Sequence, residues 1–88
     1  MTKTFTILVH EAEEGGYWAE CLELNCGSQG ETLDELDANI RESIEAVLQI
    51  RREDGEDIAA IEKAENVQPL DDVRKWEIAV QLPSFAAA

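Results

Sequence analysis

Apolar and polar residues alternate in three stretches of the chain, and each stretch predicts a β-strand. The stretches are residues 4–10, 17–24 and 76–82, and they are rich in β-branched and aromatic side chains. Alternate side chains of a strand point to opposite faces of a sheet, so each stretch has two predicted faces. In the first stretch, one face carries Phe5, Ile7 and Val9. In the second, one face carries Tyr17, Ala19 and Cys21, and the other carries Trp18, Leu22 and Leu24. In the last, the residues predicted to point inward are Trp76, Ile78, Val80 and Leu82.

The first two strands are predicted to form an antiparallel hairpin. Residues 11–16 connect them and end in two adjacent glycines, which adopt a positive φ without steric cost. Residues 25–31 are then predicted to form a corner, because Gly27 and Gly30 bracket a short polar segment. Such a corner leaves room for only a very short third strand or an extended crossing.

A long amphipathic helix follows the corner. Thr32 is a favourable N-cap, and Glu35 stands at the position that completes a capping box. Gly55 marks the predicted end of the helix. One apolar stripe with steps of three and four residues identifies the buried face: Leu33, Leu36, Ile40, Ile44, Val47 and Leu48.

The remaining segments complete an α+β fold. Residues 57–64 have two open interpretations, a short helix capped by Asp57 or an irregular linker. We predict a small, mainly antiparallel sheet of three or four strands packed by one long helix. The predicted order is strand, strand, short strand, helix, short helix or loop, strand. Residues 1–83 are expected to form a single domain, and residues 84–88 a loose C-terminal tail.

Composition limits the possible partners. The chain has 88 residues and a formal net charge of −13, with 20 acidic and 7 basic side chains. This charge disfavours direct binding to nucleic acid and favours a basic partner, although a well-solvated surface without any partner explains it as well. A core this small favours self-association as a homodimer or a larger homo-oligomer.

The sequence predicts a cytoplasmic protein without cofactors. It has no apolar run long enough to span a membrane and no signal peptide, so Cys21 and Cys26 are expected to be free thiols. Their spacing does not match a zinc site, and they are interpreted as small buried hydrophobic residues. His10 is the only histidine. No metal site is predicted, because nothing fixes the geometry of the acidic residues in the hairpin connection.

Several short motifs resemble the HicB antitoxin family. They are Gly15-Gly16-Tyr17, the run Cys26-Gly27-Ser28-Gln29-Gly30-Glu31-Thr32-Leu33, and Asn39-Ile40 with Glu42-Ser43-Ile44. The resemblance implies a partial RNase-H-like fold, assembly as dimers or larger oligomers, and binding to a HicA-type toxin, a small basic RNA-cleaving protein. Leu24-Asn25 replaces the Pro-Gly of the family. The DNA-binding segment of the family has no counterpart before Ala88, so we expect a form of the domain that does not bind an operator.

The expected activity is binding, not catalysis. An RNase-H-like nuclease carries a metal-binding carboxylate in the middle of its first strand, and residues 4–10 contain no acid. Ser28, Gln29 and Glu31 are the candidate partner-binding residues, although a glycine-rich corner explains this segment without any ligand. Trp76, Ile78 and Val80 are the candidate oligomer strand, which the long preceding linker would allow to pair with a neighbouring chain. The alternative function is a self-associating solo domain with an unknown partner or ligand.

Overall fold

A four-stranded antiparallel sheet with one long helix on one face forms the fold. A computed structural model describes residues 2–82. The elements, in chain order, are β1 (Thr2–Glu11), β2 (Tyr17–Cys21), β3 (Cys26–Gly30), α1 (Leu33–Glu53), a 3-10 turn (Ile58–Ala60) and β4 (Arg74–Gln81). The strand order across the sheet is β3-β2-β1-β4. The predicted α+β class and element order are therefore confirmed, whereas the RNase-H-like character stays a prediction.

The hairpin between β1 and β2 turns through its two glycines, as predicted. Gly15 has φ +99° and Gly16 has φ +78°, and both values suit a residue without a Cβ atom. The Gly15 amide donates to the Ala12 carbonyl, and the Ala12 amide donates to the Gly16 carbonyl, each at 3.1 Å. The turn brings Val9 opposite Ala19, which places both side chains in the core.

Helix α1 begins and ends where the sequence predicts. The Thr32 hydroxyl accepts a hydrogen bond from the Glu35 amide at 3.1 Å, which satisfies one free donor of the first turn. Gly55, with φ +86°, donates its amide to the Arg52 carbonyl after the last turn. The apolar stripe packs on the sheet, and its fully buried members are Leu36, Ile40, Ile44 and Leu48.

The predicted short third strand is present within residues 25–31, but the turn that leads into it lies earlier than predicted. The chain turns earlier, at residues 22–25, where Asn25 adopts φ +53° and Leu24 folds into the core. The segment that follows is strand β3, which pairs with β2 over five residues. Gly27 and Gly30 of this strand have no room for a Cβ atom, because backbone atoms of neighbouring elements lie too close. A Cβ atom would lie 2.7 Å from the Ala19 carbonyl oxygen at Gly27, and 2.6 Å from the Leu36 amide nitrogen at Gly30.

The outer edge of β3 is covered by side chains of α1. Asn39 donates its side-chain amide to the Gln29 carbonyl at 2.8 Å, and Ser43 donates its hydroxyl to the Gly27 carbonyl at 3.1 Å. These two carbonyls point away from β2, so they would otherwise be open to pairing with another strand. Strand β4 forms the opposite edge of the sheet.

The structure decides between the two interpretations of residues 57–64, a short helix and an irregular linker. Only Ile58–Ala60 is helical, as a 3-10 turn, and Asp57 caps it by accepting a hydrogen bond from the Ala59 amide at 3.2 Å. Residues 61–73 are irregular. In β4, Ile78 and Val80 are buried, which confirms the predicted inward face. The predicted tail, residues 84–88, lies outside the described residues.

Candidate protein-interaction surface

An aromatic pair lies on the sheet face that the helix leaves uncovered. His10 of β1 stands opposite Trp18 of β2, and Trp18 stands opposite Gln29 of β3. The His10 and Trp18 rings stack in parallel, with centroids 3.8 Å apart and an angle of 6° between their planes. Trp18 is nevertheless 43% exposed. The sheet therefore presents one face of a fixed indole to solvent.

A carboxylate holds this aromatic pair in place. Glu20 follows Trp18 by two residues on the same face of β2, and its Oε2 atom is 2.9 Å from Nε2 of His10. The contact fixes the imidazole plane against which the indole stacks. His10 thus positions Trp18, and within the described residues it belongs to no group of three or more metal-ligating side chains.

A cavity of about 390 Å³ lies beside Trp18, where the hairpin, the end of β3 and the start of α1 meet. We refer to it as the Trp18 cavity. Gly15, Gly16, Gly30 and Ala12 also line it, and its larger lining side chains are Tyr17, Trp18, Gln29, Glu31, Glu35 and Asn39. The described lining therefore contains two carboxylates and no lysine or arginine. Such a surface suits a partner that carries positive charge.

The structure brings together only part of the predicted partner-binding set. Gln29 and Glu31 line the Trp18 cavity. Ser28 points to the opposite face of β3, because neighbouring residues of a strand alternate. It lies in a shallow depression of about 330 Å³ against Glu42 and Ser43 of the helix. All three residues fall within the segment that was predicted to form one corner, which is why they were predicted to act together.

Trp18 and Glu35 line the cavity but were not among the partner-binding residues predicted from the sequence. The period-2 pattern placed Trp18 and Ala19 on opposite faces, but it did not show which face is buried, because Leu22 and Leu24 were assigned to the same face as Trp18. Strand β2 ends at Cys21, so Glu20 is the residue that shares the face of Trp18 within the strand. That polar neighbour is the signal that could have identified an exposed aromatic side chain. Glu35 was assigned only to the helix cap. Its role at the cavity follows from the way β3 packs against the start of α1, which no local pattern reveals.

The candidate oligomer strand lies at the other edge of the sheet. Trp76, Ile78 and Val80 stand opposite Ile7, Phe5 and Lys3 of β1 in the same chain. Pairing within one chain thus accounts for the burial of Ile78 and Val80, and Trp76 stays half-buried. Exchange of this strand between two chains stays a prediction. No helix in the described part of the chain combines the length and the apolar character that a membrane crossing requires.

Two proteins of Synechocystis sp. (strain ATCC 27184 / PCC 6803 / Kazusa) are similar to this chain. UPF0150 protein ssl0738 is 36% identical over 55 residues, which cover 61% of this chain and 76% of that protein. UPF0150 protein ssr1258 is 50% identical over 46 residues, which cover 51% of this chain and 67% of that protein. No family model matches the chain. No solved structure matches it.

Proposed function

Because the chain belongs to the UPF0150 family, we propose that it is a HicB-like, non-catalytic interaction protein that binds and neutralises a small basic RNA-cleaving toxin of the HicA type. One observation carries this proposal. The two motifs that resemble HicB antitoxins, Gly15-Gly16-Tyr17 and the run that includes Gln29 and Glu31, are separated in sequence but line the same Trp18 cavity. Their convergence on one accessible surface is what a shared binding role requires.

Charge complementarity supplies the physical basis of binding. The chain carries a formal net charge of −13, and a protein that cleaves RNA needs a basic surface to hold the phosphates of its substrate. The acidic protein attracts that surface over a distance and speeds the encounter. Once docked, it occupies the region that RNA would otherwise contact. Neutralisation by this route needs no chemistry from the antitoxin, and it leaves no role for direct binding of nucleic acid.

Co-purification with any small basic protein that is encoded beside this chain tests the proposal. We expect the two proteins to purify together and RNA cleavage by the partner to stop in the complex. Trp18→Ala should raise Kd by about tenfold or more, because a central aromatic residue contributes a large share of interface energy. Glu31→Gln should raise Kd and weaken its dependence on salt.

Matched control variants distinguish the loss of a contact at the Trp18 cavity from the general effect of removing an exposed apolar or charged side chain. Ile50→Ala removes another exposed apolar side chain, and Glu56→Gln removes another exposed carboxylate, both towards the far end of α1. Both should bind like the wild type. The proposal is wrong if no basic neighbour binds, or if the controls weaken binding as much as Trp18→Ala does.

A second candidate function rests on the edge strand β4. The described structure covers the β3 edge with helix side chains, whereas the backbone of β4 is less protected, with Arg41 reaching only the Ala79 carbonyl at 3.4 Å. A self-associating domain with an unknown ligand would use this edge. A stable homo-oligomer that binds no basic toxin favours this function over the first. Under both candidate functions, we expect this protein to cleave no RNA in a nuclease assay with divalent metal ions.

A further inference from the structure

The two cysteines face each other across the β2–β3 hairpin. Cys21 ends β2, Cys26 begins β3, and the two residues are direct partners in the strand register. Facing residues of an antiparallel pair have Cα atoms roughly 4.5–5.5 Å apart. A disulfide spans about 4.4–6.8 Å between Cα atoms. The backbone therefore already holds the pair at a distance that a disulfide can bridge, although both are free thiols in the structure.

The two thiols differ in environment. Cys21 is 1% exposed, whereas Cys26 is half-buried near the surface. A hydrogen bond from the Cys21 thiol lowers the pKa of Cys26 to about 6, against the opposing effect of burial, with help from Ser43 and the Arg51 guanidinium. Arg51 is held nearby, since its Nη2 atom donates to the Leu24 carbonyl at 3.2 Å. A half-buried thiolate beside a cation is the setting in which cysteines react.

Cys21 is the complementary partner. Its hydrogen bond to Cys26 and its burial raise the pKa of its thiol well above the ordinary value. Its Sγ atom also lies 3.9 Å from Oε1 of Glu23, whose negative charge acts in the same direction. Cys21 therefore stays protonated and unreactive towards solvent, while it remains in contact with Cys26.

We propose that Cys26 and Cys21 form an oxidation site, at which a peroxide converts the two thiols into an intramolecular disulfide. The proposal rests on the strand register and on the unequal burial of the two thiols. It does not depend on toxin binding. The sequence alone favours two free thiols and makes their pairing an artefact of oxidation, because it does not reveal the turn at residues 22–25 that brings the two cysteines together.

The reaction runs in two steps that balance. The Cys26 thiolate attacks one oxygen of hydrogen peroxide, so that an S–O bond forms, the O–O bond breaks, and hydroxide leaves and takes a proton from solvent. This step oxidises sulfur to the sulfenic acid and reduces the peroxide to water. Cys21 then attacks the Cys26 sulfur, so that the S–S bond forms and the S–O bond breaks. The departing hydroxide takes the Cys21 proton, and two thiols and one peroxide become one disulfide and two waters.

Treatment of the reduced full chain with one equivalent of hydrogen peroxide tests the proposal. The intact mass should fall by two hydrogens, and both cysteines should lose their reaction with an alkylating agent after unfolding. The product should run as one chain on a non-reducing gel, and dithiothreitol should restore both thiols. Peroxide that leaves both cysteines open to alkylation, or that links two chains, would overturn the proposal.

Two single variants assign the roles of the cysteines. Cys21→Ala should stop at the Cys26 sulfenic acid, which dimedone captures. Cys26→Ala should give dimedone capture at Cys21 at least about tenfold more slowly, because burial and the Glu23 charge still raise the pKa of that thiol after the Cys26 hydrogen bond is removed. Equal rates at the two positions would contradict the assignment. If either variant fails to fold by circular dichroism, the order of alkylation of the two cysteines in the folded wild type decides instead, with Cys26 expected first.

Discussion

The Glu23 carboxylate joins three parts of the chain that are distant in sequence. Its Oε1 atom accepts from the Thr6 amide at 2.8 Å, and its Oε2 atom accepts from the Thr6 hydroxyl at 2.8 Å and from the Ala64 amide at 3.0 Å. Thr6 is only 1% exposed and depends on this partner. Burial raises the pKa of Glu23, but the hydrogen bonds from Thr6 and Ala64 outweigh it and leave the pKa below its ordinary value.

Replacement of this carboxylate should destabilise the fold. We expect Glu23→Gln to lower the free energy of unfolding by about 1–3 kcal/mol, because it removes charge-assisted hydrogen bonds to partly buried donors. Urea denaturation measures the change. Glu13→Gln is the matched control, since it removes the same charge from an exposed position in the hairpin connection, and its midpoint should stay that of the wild type.

The contribution of Glu23 should depend on pH in a defined direction. A carboxyl group whose pKa is lowered by folding stabilises the folded state above its unfolded pKa, and this stabilisation is lost as pH falls through the folded pKa. The difference in stability between wild type and Glu23→Gln should therefore be full above the ordinary pKa of 4.5 and shrink below it. A difference that grows on acidification would contradict this account.

Single residues with tertiary roles were the hardest to predict from sequence. Glu23 falls within the predicted strand of residues 17–24, and nothing local indicates that its carboxylate reaches β1 and the linker before β4. Thr32, by contrast, was assigned correctly, since the group that it caps lies three residues away. The two cases differ in the number of residues between the side chain and its hydrogen-bond partner. A partner close in sequence can be predicted, and a distant one cannot.

Strand β3 is an element that is likewise hard to predict from its own sequence, because its conformation depends on distant parts of the chain. The apolar stripe of α1 and the alternation in β1 and β4 predicted those elements, because their burial repeats with a fixed period. Strand β3 has the sequence CGSQG, without any large apolar side chain. Its glycines resemble a turn locally, yet they are needed where β3 approaches Ala19 and α1. The sequence therefore leaves a very short strand or an extended crossing open, and pairing with β2 decides for the strand.

A substitution at Gly30 tests whether close approach or backbone freedom selects glycine. We expect Gly30→Ala to lower the free energy of unfolding by about 1–3 kcal/mol, since the added carbon would push α1 away from the sheet. Chemical denaturation gives the value. Ser28→Ala, two residues earlier on the same face of β3, is the control and should change stability by less than about 0.5 kcal/mol. Equal losses in the two variants would show that the helix does not press on β3 at this point.

At the scale of the whole molecule, one helix covers one face of a sheet whose two edges differ. The apolar residues of β1 and β4 form the core with α1 and Ile58. The Trp18 cavity lies at one end of the sheet and the exposed part of β4 at one edge. The surface proposed for the partner and the edge proposed for self-association are therefore separate parts of the molecule.

Self-association should depend on the inward face of β4. We expect sedimentation at micromolar concentration to show a homodimer or a larger assembly. Trp76→Ala should weaken folding by about 1–3 kcal/mol, or weaken association, because the half-buried indole packs against the core.

Glu77→Ala provides the comparison for this strand. It removes only the exposed ion pair with Lys63, 2.8 Å between Nζ and Oε1, so it should leave the thermal midpoint and the sedimentation profile unchanged. A wild-type monomer would contradict the expected self-association. Equal thermal midpoints for the two variants would instead show that the Trp76 indole does not contribute to the stability of the fold.

The side chains of Asn39 and Ser43 have a consequence for how large an assembly can grow. Because they occupy outward carbonyls of β3, a second chain can extend the described sheet by strand pairing only at β4. Two chains joined antiparallel through β4 would each present a blocked β3 at the ends of a continuous eight-stranded sheet. Growth by sheet extension would then stop at two copies instead of proceeding into a fibre. If the chain associates in this way, two short polar side chains on a helix would limit the assembly to a dimer.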